Sequence, residues 1–503
     1  MFRSIISRKK SFVTGAVFLS KRDEVNMKGI NHTVKLGLEI ITPTQSGSGA
    51  ELFKEIDYIE RNQMAFIVDQ QASFQAIASG NLALDAQLLA GNRLSDWVNA
   101  VGQDFGYRLP WLGSVAKVPE KFREQVKDAM NRPYLPGSAI KGAIRTALIA
   151  EWLRSATKDE VISKRITGLL PYAERNGKPS KSRTFASSDL IKALIGKDAK
   201  QDIFRSFKVK DTLFANSELR LADIRWLNEA RWRSMSQRKS FEGWQQADGI
   251  HAEVLQPKAL GLLALQWDDF LLSNVNKWQQ DGTVSAIAPK DFDDLRQRLN
   301  RHAEYRLQRE ILFYREQGKP APEQECQGIL NMLKADEHSA YLQMSWGSGW
   351  RGMTGDWASD NLVEEFRKLY PKDLGRPEKI FPKTRRLVVS GEPKLPMGWV
   401  RLLPYELVAD KLEIQQTRQQ ANSAQSAWVN QKLAQIAQQN RSPEKEALRG
   451  KALAEAWQAL PDGEEKQAAL ADIKARWQTE DWWEQPSGKS AKQAKTIYEQ
   501  DCT

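Results

Sequence analysis

Cysteine is nearly missing. The 503 residues hold two, Cys326 and Cys502, too few for a disulfide framework or a thiolate-built zinc site. Histidine is almost as scarce: His32, His251, His302 and His338 are scattered, and no two stand four apart as an HExxH metal site demands. No metal or organic cofactor is expected. No run of about 18 apolar residues occurs, which argues against a membrane-spanning helix. The GxxxxGK[ST] spacing of a phosphate-binding P-loop is also missing. With no disulfide framework to stabilise a secreted fold, a reducing cytoplasm is the expected compartment.

Charge is abundant. Lys and Arg number 74 against 63 Asp and Glu, a formal net charge of +11, which favours a polyanionic partner such as nucleic acid. Hydrophobic residues make up 41% of the chain, enough at this length for more than one core. Residues 1–33 read as a flexible basic extension, with Lys21-Arg22 following the apolar patch SFVTGAVFLS where a signal peptide would place small residues.

The first convincing strand is VKLGLEII (34–41), with Val34, Leu36, Leu38 and Ile40 on one face. AFIVD (65–69) follows, then helical patterns over 71–100 and a basic, turn-rich loop over 161–185. FRSFKVKDT (204–212) and HAEVLQPKALGLLALQWD (251–268) are strand material, the latter broken by a turn at Gln256-Pro257. Residues 291–316 predict a long amphipathic helix, and AYLQMSWGSGWRGMTGDW (340–357) predicts a strand running into a glycine loop. TRRLVVS (384–390) and MGWVRLL (397–403) read as a hairpin-like pair. After Leu407 the chain turns to Gln, Ala and Lys with Trp428, Trp457, Trp477, Trp482 and Trp483 interspersed, and Val429, Leu433 and Ile436 form one helical stripe. The pattern predicts an α+β fold: one domain over 34–260, a second over 261–406, and a helical tail over 407–503.

One stretch points to function. In YLPGSAIKGAIRTAL (134–148), Ser138 stands where an N-cap is expected, and Ile140, Ile144, Ala147 and Leu148 form a buried stripe. Ser138, Lys141 and Arg145 are spaced three and four apart, which gathers two cations near the helix's positive end and predicts an anion site. GSG (47–49) and GSGWRG (347–352) each follow an alternating strand. The second matches GxGxxG, but no βαβ unit with a downstream acid surrounds it, so a dinucleotide enzyme is disfavoured. Glycines also let a backbone approach a polynucleotide, beside which Trp350 and Arg351 are placed to stack or pair, whereas Trp346 is expected in the core. His251 reads as a packed strand residue. Asp211, with no second carboxylate close in sequence, reads as structural.

Taken in order, TPTQSGSGAE, YLPGSAIKGAIRTAL, DIFRSFKVKDT, HAEVLQP, SWGSGWRGMTG and PMGWVRL resemble the RAMP superfamily of CRISPR-associated proteins, over about residues 34–402. The likeness is greatest to the fifth Csm-type subunit of type III-A effector complexes. Gln45-Ser46 and Met353 depart from that pattern. The resemblance implies two ferredoxin-like, RRM-related domains with a C-terminal helical appendage. It implies a non-catalytic subunit that caps the 3′ end of the guide RNA and supports its maturation, with backbone RAMP subunits, small helical subunits and host nucleases as partners. It places RNA contacts at Ser48 and Gly49, at Ser138, Lys141 and Arg145, and at Gly347, Gly349, Trp350 and Arg351. The alternatives are another RAMP subunit of a type III complex, or a RAMP endoribonuclease that cuts guide precursor RNA, for which His251 is the candidate base.

Overall fold

Alternating apolar residues, not long helices, build the body of this protein. The computed structural model describes most of residues 31–69, 106–156, 188–274, 285–352 and 380–500. Most of the expected N-terminal extension, of the helices over 71–100 and of the basic loop over 161–185 lies outside the described residues. The strands that frame the body are β1 (Asn31–Ile40), β2 (Gly47–Phe53), β3 (Lys121–Gln125), β4 (Phe207–Val209), β5 (Leu219–Asn228) and β6 (Ile250–Leu255). They continue with β7 (Leu260–Asp268), β8 (Ala340–Gln343), β9 (Thr384–Ser390), β10 (Glu392–Pro396) and β11 (Trp399–Pro404). The principal helices are α1 (Gly137–Ala156), α2 (Phe292–Glu316), α3 (Pro320–Ala335) and α4 (Ala409–Asn440).

One sheet has five strands in the order β4-β7-β1-β11-β8, all antiparallel. Leu36, Leu38 and Ile40 of β1, Leu263, Leu265 and Trp267 of β7, and Val400 and Leu402 of β11 alternate onto one face and share a core with Ile140, Ile144, Ala147 and Leu148 of α1. This is the stripe read from the helix sequence. The opposite face is covered where α4 begins: Val408 and Leu412 pack on Leu260 and Leu403. The expected 260/261 domain boundary falls at the first residues of β7, which pairs with β1 from Asn31 to Glu39.

The second sheet is built on β5, which pairs with β6 over its first half and with β9 over its second; β6 leads on to β3 and β2. The chain switches sheets at the Gln256-Pro257 turn, because β6 belongs to the second sheet and β7 to the first. It switches again at Met397-Gly398. The hairpin expected between 384–390 and 397–403 is therefore corrected: β9 pairs with β5 and β10, whereas β11 leaves for the first sheet. Glycine enforces this exit. Gly398 has φ +87°, and a Cβ there would stand 2.0 Å from the Met344 carbonyl oxygen.

The tail folds around its own core. Val429, Leu433, Leu453, Trp457, Ile473, Trp477 and Tyr498 cluster together, with Trp482 and Trp483 edge-on to Trp477. The buried indoles find partners inside the tail: Trp457 Nε1 donates to the Lys466 carbonyl at 2.8 Å and Trp477 Nε1 to that of Leu448 at 3.0 Å. Among the described residues, no helix is long and apolar enough to cross a membrane. Because Trp477 is central to a separate core, Trp477→Ala is expected to cost about 3–5 kcal/mol and to melt the tail ahead of the sheets. Urea unfolding followed by circular dichroism should show an early loss of helix; a single unshifted transition would contradict a separate core.

Candidate nucleic-acid interface

The start of α1 differs from its sequence reading. The Pro136 carbonyl accepts from Ala139 N at 2.9 Å and Ile140 N at 3.1 Å, so Ser138 lies exposed in the first turn and is not the N-cap. The positive end of the helix is answered by the chain itself: Gly137 N–H donates to Asp211 Oδ1 at 2.6 Å. Asp211 is delivered by the pairing of Thr212-Leu213 with Tyr134-Leu135. Gly137 lies so close beneath Val209 that a Cβ would stand 2.2 Å from its carbonyl oxygen. The structural reading of Asp211 therefore holds, and the anion expected at this helix end is a carboxylate of the protein.

Lys141 and Arg145 form a cationic edge further along α1. Arg145 pairs with Asp202 at 3.0 Å and lies over the Phe204 ring, 5.7 Å from its centroid. Burial lowers the Lys141 pKa; Asp202 opposes the shift, and the charges of Arg145 and Lys208 add to it. Among the described residues, Lys141 thus has Arg145 and Lys208 as neighbouring cations and Asp202 as the carboxylate that opposes them.

The glycine turn after β8 is tied to the start of the chain. Trp346 N–H donates to the Gln45 carbonyl at 3.1 Å, and Gly398 N–H to that of Pro43 at 3.0 Å. Gly347 and Gly349 have φ of +103° and +75°. Trp350 is half-buried and edge-on to Phe381 at 5.0 Å. Arg351, expected to face RNA, is corrected: it is 4% exposed, and its guanidinium lies 3.7 Å from buried Asp356. Asp356 also draws Arg154 at 3.6 Å, His302 at 3.4 Å and Arg306 at 3.9 Å. Lys141 precedes Arg154 by 13 residues of the same helix, or about 20 Å at 1.5 Å per residue. The cationic edge and the glycine turn are therefore separate places.

Ser48 and Gly49 lie in β2, at a break in its register with β3 between Gly47 and Glu51. Ser48 Oγ donates to Glu124 Oε2 at 2.7 Å, and Gly49 is exposed with φ +95°.

Sequence reasoning missed the residues flanking the glycine turn. A crevice of about 210 Å³ between that turn and β9 is lined by Trp226, Arg306, Arg385 and Arg386, among others. The Arg386 guanidinium lies between two indoles, 5.1 Å from the ring centre of Trp226 and 4.4 Å from that of Trp346. Arg123 covers Trp346 at 4.8 Å. A signal was present in TRRLVVS, whose alternation places Arg386 on the face of Val388, but nothing in sequence revealed the indoles. Trp346, expected in the core, is half-buried beside it. His251 packs edge-on against Trp111 at 5.9 Å, and burial lowers its pKa, so it is neutral near pH 7.

Asp211→Ala should destabilise the protein by about 1 kcal/mol because the helix end loses its acceptor. Urea midpoints would read this, and an unchanged midpoint would remove Asp211 from that role. His302 makes a second, pH-dependent case. Arg154 Nη2 lies 2.9 Å from His302 Nδ1 and can only donate, so Nδ1 accepts and Nε2–H faces Asp356. Burial, outweighing the attraction of Asp356, lowers the His302 pKa from 6.5 to about 3. Between those values the unfolded chain takes up a proton that the folded chain refuses. Stability should therefore fall on acidification from about pH 6.5, by at most about 1.4 kcal/mol per pH unit for this group. Urea unfolding at neutral and mildly acidic pH should show a shallower decline for His302→Gln; parallel declines would contradict the assignment.

Comparison with known proteins gives the chain its relatives. Residues 38–320 match the RAMP superfamily. The protein Csm5 of Methanocaldococcus jannaschii is 23% identical over 405 residues, covering 74% of this chain and 88% of the relative. Csm5 of Streptococcus thermophilus is 26% identical over 176 residues, 30% of this chain and 49% of the relative. Among solved structures, a type III-A Csm–crRNA–target RNA ternary complex contains a chain that matches with TM-score 0.49 and 18% identity, over 73% of this chain and all (100%) of that one. The crystal structure of T. onnurineus Csm5 matches with TM-score 0.48 and 20% identity, over 72% of this chain and 99% of that one. The superfamily match runs from β1 through α1 and strands of both sheets to the start of α3, and the chain belongs to the RAMP superfamily.

Proposed function

We propose that this protein is the Csm5-type subunit of a type III-A CRISPR effector complex, an RNA-binding protein that caps the 3′ end of the guide RNA without cutting it. The observation that carries this reading is the alignment with M. jannaschii Csm5, which runs through 88% of that relative. The net charge of +11 and the cationic edge of α1 support an RNA partner. In this reading the two halves of the body are ferredoxin-like units, and backbone RAMP subunits and small helical subunits are the neighbours. Host nucleases trim the guide against this cap, in the cytoplasm.

Ser138, Lys141 and Arg145 then follow the sugar–phosphate chain on α1, with Ser48 and Gly49 at the bulge of β2 and Gly347, Gly349 and Trp350 at the glycine turn. Arg351 acts behind that turn by holding Asp356. An endoribonuclease would need a general base within reach of the scissile phosphate, and the packing of His251 against Trp111 favours the non-catalytic role.

Lys141→Ala with Arg145→Ala should weaken binding of single-stranded RNA irrespective of sequence. The salt dependence should become shallower by about 0.7 for each phosphate that the variant no longer neutralises. Anisotropy titrations at several salt concentrations would measure both. The reading fails if the wild-type chain, alone and assembled with co-purifying subunits, carries no short RNA.

A further inference from the structure

The side of the first sheet turned away from α1 is closed only in part. Val408 and Leu412 cover Leu260 and Leu403, and Leu262 packs against that group. Toward the edge strand β4 the same side lies open. Phe207 and Val209 of β4, Leu263 and Leu265 of β7, and Val34 and Leu36 of β1 turn into the core shared with α1. Alternation therefore sends Lys208 and Lys210, Ala264 and Gln266, and Thr33 and Lys35 the other way. Register sets them in two rows: Lys208, Gln266 and Thr33 in one, Lys210, Ala264 and Lys35 in the next, where Lys210 N–H donates to the Ala264 carbonyl at 3.0 Å. All three lysines are exposed. Lys208 and Lys210 stand about 7 Å apart along their strand, and Lys35 about 10 Å away across two strand spacings.

Among the described residues, nothing answers these charges. No carboxylate there pairs with Lys35, Lys208 or Lys210, and Lys35 lies over the Tyr405 ring at 5.8 Å. Other exposed lysines of the body do have acids beside them, as Lys121 has Glu51 at 2.7 Å and Lys334 has Glu304 at 3.3 Å. Like charges collected on one sheet face repel one another, and together they attract a polyanion.

Chemistry and position narrow the polyanion. Lysine is a point charge on a flexible stem, which suits phosphates met at varied angles, whereas the planar fork of arginine matches a carboxylate. The aromatic ring at the border, Tyr405, is already covered by Lys35, so the face offers phosphates a seat and bases none. Lys208 is near enough to Lys141 for its charge to be felt there. The patch thus begins where the cationic edge of α1 ends, around the edge strand β4.

We propose that the open half of the first sheet carries the RNA strand onward from α1, holding it through its phosphates alone with Lys208, Lys210 and Lys35. The inference rests on the RNA-binding reading above and adds three residues that none of its assigned contacts includes. Such a track is indifferent to base sequence.

The test uses the full chain with a short and a long labelled oligouridylate, read by anisotropy at several salt concentrations. Lys35→Gln combined with Lys208→Gln and Lys210→Gln should weaken binding of the long oligomer by about tenfold at low salt. Its salt dependence should become shallower by about 2, three phosphates at about 0.7 each. The short oligomer, which the edge of α1 accommodates alone, should bind as before. Gln266→Glu sets a carboxylate between the lysines without changing shape and should act in the same direction, which keeps the test decisive if the triple variant does not fold. Equal losses on both oligomers would reduce the face to a general contribution of charge and overturn the track. If both variants bind the long oligomer as the wild type does while Lys141→Ala with Arg145→Ala weakens it, the face is off the RNA path and the RNA reading stands without it. A triple variant that keeps RNA and loses a co-purifying subunit would overturn the proposal in favour of an acidic protein surface. A wild type indifferent to both oligomers, alone and in its assembly, would overturn both readings.

Discussion

Everything in the body depends on β1 lying between β7 and β11. Its hydrogen bonds on one side go to Leu260–Asp268 and on the other to Trp399–Pro404, so the central ladder joins segments that are far apart in sequence. Arg401 and Glu39, which pair at 2.8 Å across this ladder, are separated by 362 residues. Closing such a loop costs entropy before any contact offsets it. The same arrangement brings the loop after β1 against the turn after β8 and the exit at Gly398, through the bonds to Gln45 and Pro43. The glycine turn is thus positioned by both ends of the body.

The surplus of positive charge is not spread evenly. Several arginines are committed to structure: Arg385 to Glu310, Arg401 to Glu39, and Arg351 to Asp356. Asp356 gathers side chains from α1, α2 and the glycine turn at one buried point, and neutral His302 completes the cluster without adding charge. Arg123 and Arg386 instead flank aromatic rings. The division separates cations paired with carboxylates from cations laid on aromatic rings.

Periodicity made the elements legible. Leu36, Leu38 and Ile40 declared their strand, the apolar spacing of 291–316 declared α2, and the tail read correctly as helical. Which strand pairs with which was not legible, because period two names a face and not a neighbour. The 384–403 stretch looks like a hairpin until Gly398 sends β11 to the other sheet. Charge was legible in amount and not in pairing. The acceptor for the start of α1 arrives from Asp211, far from Ser138 in sequence, and Arg351 turns inward toward Asp356, while Trp346, whose indole looked like core, stands between two arginines. Local pattern cannot see these partners, since each is set by a crossing between sheets.

The packing of Val408 and Leu412 over Leu260 and Leu403 has a consequence of its own. Part of the first sheet's side away from α1 is thereby closed by the protein's own chain, at the point where α4 starts. Leu260 and Leu403 beneath it are held by hydrophobic fit to Val408 and Leu412. That patch is withdrawn from water and from any visitor, so a change in α4's first turn is felt directly in the central ladder.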